Sequence, residues 1–301
     1  MNIQHIGIVG YGEVGKSFSA GLRPQPGIES VGVWDLRFAQ VETQAAEQAN
    51  AERAGVRAFA SMQPLCDASD LVISAVTASN TLAVAREAAQ YLRAGCVFLD
   101  LNSASPATKQ QAAALIDGAG GNYVEAGVMT SVPPHGIRVP MLLGGVKAAA
   151  LAAVLTDWGM DAKAISEQLG VASAIKMCRS IMIKGIEALV IESYTTARRH
   201  GVEDYLLPTL TETFPSIDWQ QQGAYFFSRV GRHGKRRAEE MREAAIPVRE
   251  AGFEPFMAAA TAGKQQWVAD QAAQGLFAGL DKDARWQQYA DRLLAALLHK
   301  S

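Results

Sequence analysis

The chain has 301 residues, of which 49 % are hydrophobic and 19 % charged, and its formal net charge is −2. This composition is typical of a globular protein of about two domains, and the charge gives no case for general nucleic-acid affinity. No run of eighteen apolar residues occurs, so no membrane span is expected.

The three cysteines, Cys66, Cys96 and Cys178, are odd in number and widely spaced. Such spacing suits neither a disulfide framework nor a zinc site, and no metal site is expected. A reducing, cytoplasmic compartment is therefore predicted. The first predicted strand begins at residue 3, which leaves no room for a signal peptide.

A glycine-rich loop follows that first strand, which is predicted at residues 3–9. The loop has the pattern G-x-G-x-x-G and reads Gly10-Tyr11-Gly12-Glu13-Val14-Gly15. In such loops the glycines let the backbone turn tightly and approach a pyrophosphate, whose charge lies at the N-terminus of the next helix. The loop therefore predicts a dinucleotide site, and all six residues are candidate cofactor-binding residues.

The second predicted strand, at residues 29–35, ends in an acid. Asp35 lies twenty residues beyond Gly15, where an acid typically accepts hydrogen bonds from the adenosine ribose. Such an acid repels a 2′-phosphate and favours NAD, whereas Arg37 could pair with that phosphate, so NADP is the alternative. Ala75 and Val76, at the end of a strand predicted at 70–76, complete the set of cofactor candidates.

Strands and helices alternate through the first 165 residues. Further strands are predicted at 96–102, 122–128, 141–145 and near 161–165, with helical patterns such as 38–54 and 78–92 between strands. This alternation predicts a Rossmann-type, doubly wound and mainly parallel sheet with helices on both faces. The dinucleotide-binding domain is accordingly assigned to residues 1–165.

Two strand ends carry polar residues that suit a substrate, because ligands of open α/β sheets bind beyond the carboxyl ends of the strands. Asn102 and Ser103 can donate hydrogen bonds to a substrate carboxylate or hydroxyl, and Asn102 is also a cofactor candidate. Thr130 and Ser131, after the strand at 122–128, lie where a substrate or nicotinamide would bind. A plain turn is the alternative at the second position.

Residues 171–199 are predicted to form one long helix, because the stretch has no proline, a single glycine and apolar residues at helical spacing. Lys176 is placed on its first turn. Burial and the positive end of the helix dipole would both lower the pKa of this lysine, as a general acid/base requires. Ser180 and Lys184 follow at steps of four on the same face, for which a solvated polar face is the alternative.

Beyond the long helix only helical patterns occur, at 203–213, 217–229, 235–251, 254–274 and 283–299. They predict an all-helical domain, residues 166–301, joined to the first domain by the long helix. Six basic residues lie within 229–237, and the acids that follow favour a helix start with ion pairs. His233 and Arg237 are nevertheless candidates for binding a substrate carboxylate.

These segments together resemble the β-hydroxyacid dehydrogenases, which include 3-hydroxyisobutyrate, tartronate semialdehyde and 6-phosphogluconate dehydrogenases. The resemblance covers the chain through about residue 165 and the first turns of the long helix. It rests on the glycine loop, a D-x-S-T-x-x-P-like segment at 100–106, an S-G-G-like segment at 129–131 and a lysine-bearing segment at 170–180. It implies that Lys176 is the general acid/base, that Ser103 helps to bind substrate, and that the helical domain forms a homodimer sharing the long helix.

Three positions depart from the family's pattern. Met129-Thr130-Ser131 lacks the glycine pair, Ala172 replaces a glycine at the helix start, and Ser180 replaces an asparagine. Serine has a shorter reach and fewer donors than asparagine, so the substrate is expected to differ from those of the three named enzymes. The C-terminal half resembles a variant branch of the superfamily.

The sequence thus predicts an NAD(P)-dependent oxidoreductase that transfers hydride between the nicotinamide and a small β-hydroxy acid or its carbonyl form. Lys176 moves the proton, while Ser180, Asn102 and Ser103 orient the substrate. One alternative is an imine reductase on the same scaffold, although imine reducers that resemble this family usually lack the lysine. The other is a dinucleotide-binding regulator or sensor without turnover, which the altered positions leave open.

Overall fold

An eight-stranded sheet forms the centre of the first part of the chain in the computed structural model, which describes residues 1–281 and 283–298. The strands are β1 His5–Val9, β2 Ser30–Trp34, β3 Arg57–Ala58, β4 Leu71–Ser74, β5 Val97–Asp100, β6 Asn122–Val128, β7 Met141–Gly144 and β8 Ala162–Ser166. Their order across the sheet is β3-β2-β1-β4-β5-β6-β7-β8.

The sheet is parallel except at one pair, β6 with β7. Strand β4 is buried at every residue, as expected for a parallel strand covered on both faces. The carboxyl ends of β1, β2, β4, β5 and β6 meet at one edge, called here the carboxyl edge. These findings confirm the prediction of a mainly parallel, doubly wound sheet, although the two-residue strand β3 is too short to leave a sequence pattern.

Six helices pack around this sheet: α1 Glu13–Leu22, α2 Gln44–Arg53, α3 Met62–Asp67, α4 Thr81–Ala88, α5 Pro106–Gly118 and α6 Ala148–Asp157. The chain then forms α7 Val171–His200, a helix of 30 residues that confirms the predicted long helix. By its contacts the chain divides into two compact units, Met1–Met177 and a second that begins at Cys178. Helix α7 begins in the first unit and continues into the second, and the domain boundary at residue 165 stays a prediction.

Among its described residues, the second unit contains helices and connecting loops and no strand. It contains the rest of α7 and the helices α8 Glu203–Thr213, α9 Trp219–Glu250, α10 Phe256–Ala273 and α11 Trp286–Leu298. Aromatic side chains dominate its core, where the rings of Tyr194 and Trp286 lie 4.9 Å apart and Phe227 and Tyr289 pack beside them. The predicted all-helical half is confirmed, and residue 299 of the last predicted helix lies outside the described residues.

The prediction of two helices at 217–229 and 235–251 is wrong, since α9 runs through the gap as one helix of 32 residues. Gly231 and Gly234 lie in this gap and do not interrupt the helix. In the structure Gly234 serves close packing instead, because a Cβ on it would lie 2.8 Å from the carbonyl oxygen of Gln265 on α10. A glycine that admits a neighbouring helix has the same sequence signal as one that ends a helix.

Among the described helices, none combines the length and the apolar character that crossing a bilayer requires. The described residues also include no group of three or more His, Cys, Asp or Glu side chains arranged to hold a metal ion. The thiols of Cys66 and Cys96 are buried, and burial raises the pKa of each to about 12.

Candidate functional site

The glycine loop forms an open cradle at the carboxyl edge. Gly10 has φ +94°, and a Cβ on it would lie 2.5 Å from the carbonyl oxygen of Ala75, while a Cβ on Gly15 would overlap the carbonyl oxygen of Gly10. Gly12, by contrast, has nothing within 4 Å of the Cβ position, and no side chain caps α1 at this residue. Exposed Glu13 and half-buried Val14 form the first turn of α1. This open N-terminus fits the pyrophosphate of a dinucleotide.

Asp35 and Arg37 meet the loop from the end of β2. The carboxylate of Asp35 accepts the N–H of Tyr11 at 2.7 Å and the Nε of Arg37 at 2.9 Å. Burial alone would raise the pKa of Asp35, but the hydrogen bonds from Arg37 and Tyr11 outweigh burial and lower it below its ordinary value. The same hydrogen bond stabilises the charged form of Arg37 and therefore raises the pKa of the guanidinium.

Asn102 connects the ends of β4 and β5. Its Oδ1 accepts the N–H of Val76 at 2.7 Å, and its Nδ2 donates to the hydroxyl of Ser74 at 2.9 Å. The side chain is buried, whereas Ser103 beside it is half-buried. The structure therefore gathers Asn102 and Val76, with Ala75 next to Val76, at the same edge as the glycine loop.

A buried charged cluster that the sequence reasoning missed lies beneath Asn102. The carboxylate of Asp100 accepts hydrogen bonds from Lys109 Nζ at 2.9 Å, from the hydroxyl of Tyr123 at 2.6 Å and from the N–H of Asn102 at 2.8 Å. Burial, followed by the negative charge of Asp100, raises the pKa of Tyr123 well above its ordinary value. The signal was the position of Lys109 on the apolar stripe of α5, where a lysine needs a buried partner.

Lys176 lies close to the end of β6. A Cβ on Gly127 would lie 3.6 Å from Cβ of Lys176 and 2.9 Å from the carbonyl oxygen of Ala172. Because α7 begins at Val171, the half-buried Lys176 is in the second turn, not in the predicted first. The helix dipole acts mainly within the first turn, so it affects this ammonium group less than the sequence predicts.

Glu125 fixes the start of α7 against β6, a role that the sequence reasoning did not assign. Its Oε1 accepts the N–H groups of Gly170 at 2.8 Å and Ala172 at 3.1 Å. The carboxylate is fully buried, and within the described residues its Oε2 has no hydrogen-bond partner. Beyond β6, Thr130 is exposed and Ser131 half-buried.

The remaining predicted residues belong to the second unit. Ser180 Oγ accepts a hydrogen bond from Lys184 Nζ at 3.1 Å, and Lys184 pairs with Glu240 at 2.8 Å. Arg237 is buried in an ion pair with Glu187, so the carboxylate that it contacts belongs to the chain itself.

The half-buried His233 lies in the middle of α9, as does the whole basic cluster at 229–237. The expected helix start at this cluster is wrong for the reason given for α9: the glycines at 231 and 234 do not interrupt the helix. One of the ion pairs expected there is present, because Arg236 pairs with Glu240 one turn later, at 3.9 Å.

A family model for the NAD binding domain of 6-phosphogluconate dehydrogenase matches residues 5–159, and the chain belongs to this family. A second model, a domain of unknown function (DUF1932), matches residues 197–268. The resemblance to β-hydroxyacid dehydrogenases is thereby confirmed for the family, together with a nicotinamide dinucleotide as the class of cofactor.

Solved structures agree with this assignment. A conserved hypothetical protein from Sinorhizobium meliloti 1021 is 36 % identical over 97 % of this chain and 96 % of that chain, with a TM-score of 0.73. The conserved protein MTH1747, of unknown function and structurally similar to 3-hydroxyacid dehydrogenases, is 29 % identical over 90 % of this chain and 99 % of its own, with a TM-score of 0.66.

Two more distant structures show a likeness of fold alone. The 3-hydroxyisobutyrate dehydrogenase of Mycobacterium tuberculosis is 18 % identical over 97 % of this chain and 99 % of that chain, with a TM-score of 0.66. An imine reductase from Aspergillus terreus is 17 % identical over 91 % and 95 % of the two chains, with a TM-score of 0.56. The fold is therefore common to a 3-hydroxyisobutyrate dehydrogenase and an imine reductase.

Proposed function

We propose that the protein is an NAD(P)-dependent oxidoreductase that interconverts a small β-hydroxy acid and its carbonyl form. The observation that carries this proposal is the approach of Lys176 to Gly127, near the carboxyl end of β6. The glycine loop, Asp35 and Asn102 also lie at the carboxyl edge. Lys176, the proposed proton-transferring residue, and the dinucleotide cradle are therefore at the same edge of the sheet.

In the proposed mechanism Lys176 accepts the hydroxyl proton of the substrate during oxidation and returns it during reduction. When bound, the nicotinamide supplies the hydride acceptor or donor. Asn102, Ser103, Thr130 and Ser131 orient the substrate from the ends of β5 and β6.

Ser180 and His233 of the second unit stay predicted substrate-binding residues. Because Lys184 already donates to Ser180 Oγ, the serine is left to donate its own proton to a substrate oxygen. His233 is preferred to Arg237 as a carboxylate-binding residue, since Arg237 would first have to leave Glu187.

NAD is the proposed cofactor in preference to NADP. Support comes from the carboxylate of Asp35 at the end of β2 and from the contacts of Arg37, whose guanidinium binds two carboxylates of the chain. A guanidinium engaged in this way offers little to a 2′-phosphate.

The test is turnover with purified protein, NAD⁺ or NADP⁺ and a panel of β-hydroxy acids that includes L-serine, followed by the absorbance of the reduced cofactor. Lys176→Ala should lower kcat at least about 100-fold, the usual contribution of a general acid/base, with the cofactor dissociation constant unchanged. Lys163→Ala, at an exposed lysine of β8, is the control and should leave kcat unchanged.

An unchanged kcat in Lys176→Ala would refute the role of the lysine. Turnover of cyclic imines but of no hydroxy acid would favour the imine reductase. Tight cofactor binding without turnover of any compound would favour the regulator or sensor.

A further inference from the structure

Glu47, an acid of α2 outside every recognised motif, forms ion pairs with Lys16 and Arg37, which lie beside the glycine loop. Its Oε1 accepts Arg37 Nη1 at 2.7 Å, and its Oε2 lies 3.3 Å from Lys16 Nζ. The side chain is only 14 % exposed, so these pairs are partly shielded from solvent. Lys16 also lies 5.3 Å from the centre of the Tyr11 ring, which places the cluster against the loop.

Each of the three nitrogens of the Arg37 guanidinium donates a hydrogen bond within the chain. Its Nε donates to Asp35 at 2.9 Å, its Nη1 to Glu47, and its Nη2 to the carbonyl oxygen of Tyr11 at 2.8 Å. A 2′-phosphate is recognised by a cationic fork that has donors to spare. In this arrangement the donors of Arg37 are already hydrogen-bonded to two carboxylates and to the backbone of the loop.

The four charges of the cluster cancel. Asp35 and Glu47 contribute two negative charges, and Lys16 and Arg37 contribute two positive charges. A ribose with free hydroxyls needs no cation, whereas a 2′-phosphate needs a local excess of positive charge. Removal of the Glu47 charge alone would convert a neutral cluster into one with a net charge of about +1 at neutral pH.

We propose that Glu47 is the specificity-determining residue that excludes the 2′-phosphate and makes the protein select NAD over NADP. The inference rests on the proposed use of a nicotinamide dinucleotide at the glycine loop. Glu47 acts by neutralising Arg37 and Lys16. Asp35 has a different task, because its carboxylate also accepts the N–H of Tyr11 and thereby shapes the loop itself.

The experiment is titration of the full-length protein with NADH and with NADPH, followed by cofactor fluorescence, so that no substrate is needed. The wild type should bind NADH more tightly. In Glu47→Gln the dissociation constant for NADPH should fall about tenfold, as one restored phosphate contact would give, while that for NADH should change by less than about twofold. The increase in NADPH affinity should be smaller at high salt, because its origin is electrostatic.

Two further variants make the result specific. Glu52→Gln removes an exposed charge from the same helix, at a residue without an ion pair in the described chain, and should leave both dissociation constants unchanged. Adding Arg37→Ala to Glu47→Gln should abolish most of the gain for NADPH, because the freed guanidinium is its source.

Three outcomes would overturn the inference. NADPH could bind the wild type as tightly as NADH, or Glu47→Gln could leave the ratio of the two constants unchanged, and either result would refute the role of Glu47 alone. Failure of both dinucleotides to bind the wild type would overturn the inference and the proposed function together. The melting temperature of each variant confirms that binding is measured on folded protein.

Discussion

At the scale of single residues, Gly127 lets β6 and α7 approach without a side chain between them. A Cβ at this position would lie 2.9 Å from the carbonyl oxygen of Ala172, a backbone atom that cannot move by a rotamer change. The position of Lys176 relative to the sheet therefore depends on the absence of one methyl group.

Gly127→Ala should lower kcat about tenfold, because a displacement of α7 by a few tenths of an ångström misplaces Lys176 relative to the cofactor edge. The cofactor dissociation constant, measured by fluorescence titration, should stay unchanged. Gly118→Ala is the control: it lies at the exposed end of α5 with nothing within 4 Å. That change should leave kcat unaltered and raise the free energy of unfolding by up to about 1 kcal/mol.

At the scale of elements, buried ion pairs join the second-unit part of α7 to α9. Arg237 and Glu187 are both buried, and Gln265 of α10 also contacts Glu187, at 3.3 Å. Such a pair adds little net stability compared with apolar residues, but loss of one partner leaves a buried charge without compensation.

Arg237→Met should therefore lower the free energy of unfolding by about 3–5 kcal/mol in urea denaturation. The double variant Glu187→Leu/Arg237→Met should lose clearly less than the sum of the two single changes, because it removes both charges. Glu192→Gln, on the same helix as Glu187, removes the exposed partner of Lys264 on α10 and should cost less than about 1 kcal/mol. Additive losses in the double variant would contradict this account.

The sequence predicts the elements of this fold better than the roles of individual buried residues. Apolar strands, the glycine loop and the long helix have periodic or local signals, and the structure confirms them. Glu125 has no such signal, because it owes its role to a partner 45 residues away that only the folded chain brings near. Lys109 leaves a signal, a lysine on the apolar stripe of α5, but the sequence alone does not identify Asp100 as its partner. The roles of Lys176, Ser180 and His233 stay predictions, since they depend on a substrate that the sequence does not identify.

At the scale of the whole molecule, an apolar face of α7 is exposed within the second unit. Met182 is 64 % exposed and Leu189 57 %, with Ile183 between them also exposed. We propose that a second copy of the chain covers this face, in line with the homodimer that the family resemblance implies. Exposed apolar side chains clustered on one helix are typical of an interaction surface.

Met182→Glu combined with Leu189→Glu should convert a dimer into a monomer in sedimentation equilibrium, because burying two carboxylates in an apolar interface is costly. Thr211→Glu, at an exposed position of α8, should leave the dimer intact. A wild-type protein that is monomeric at all concentrations would refute the proposal.

The single antiparallel pair in the sheet decides where the long helix leads. Since β7 and β8 run against β6, the chain leaves β8 at the edge opposite the glycine loop. Helix α7 then advances along β6 in the direction of that strand, from Glu125 beside Gly170 to Gly127 beside Lys176. A lysine 161 residues beyond Gly15 is thus brought back to the carboxyl edge, where the glycine loop lies. Had β8 followed the direction of β6, the same helix would have carried this lysine away from the loop, with every local motif unchanged.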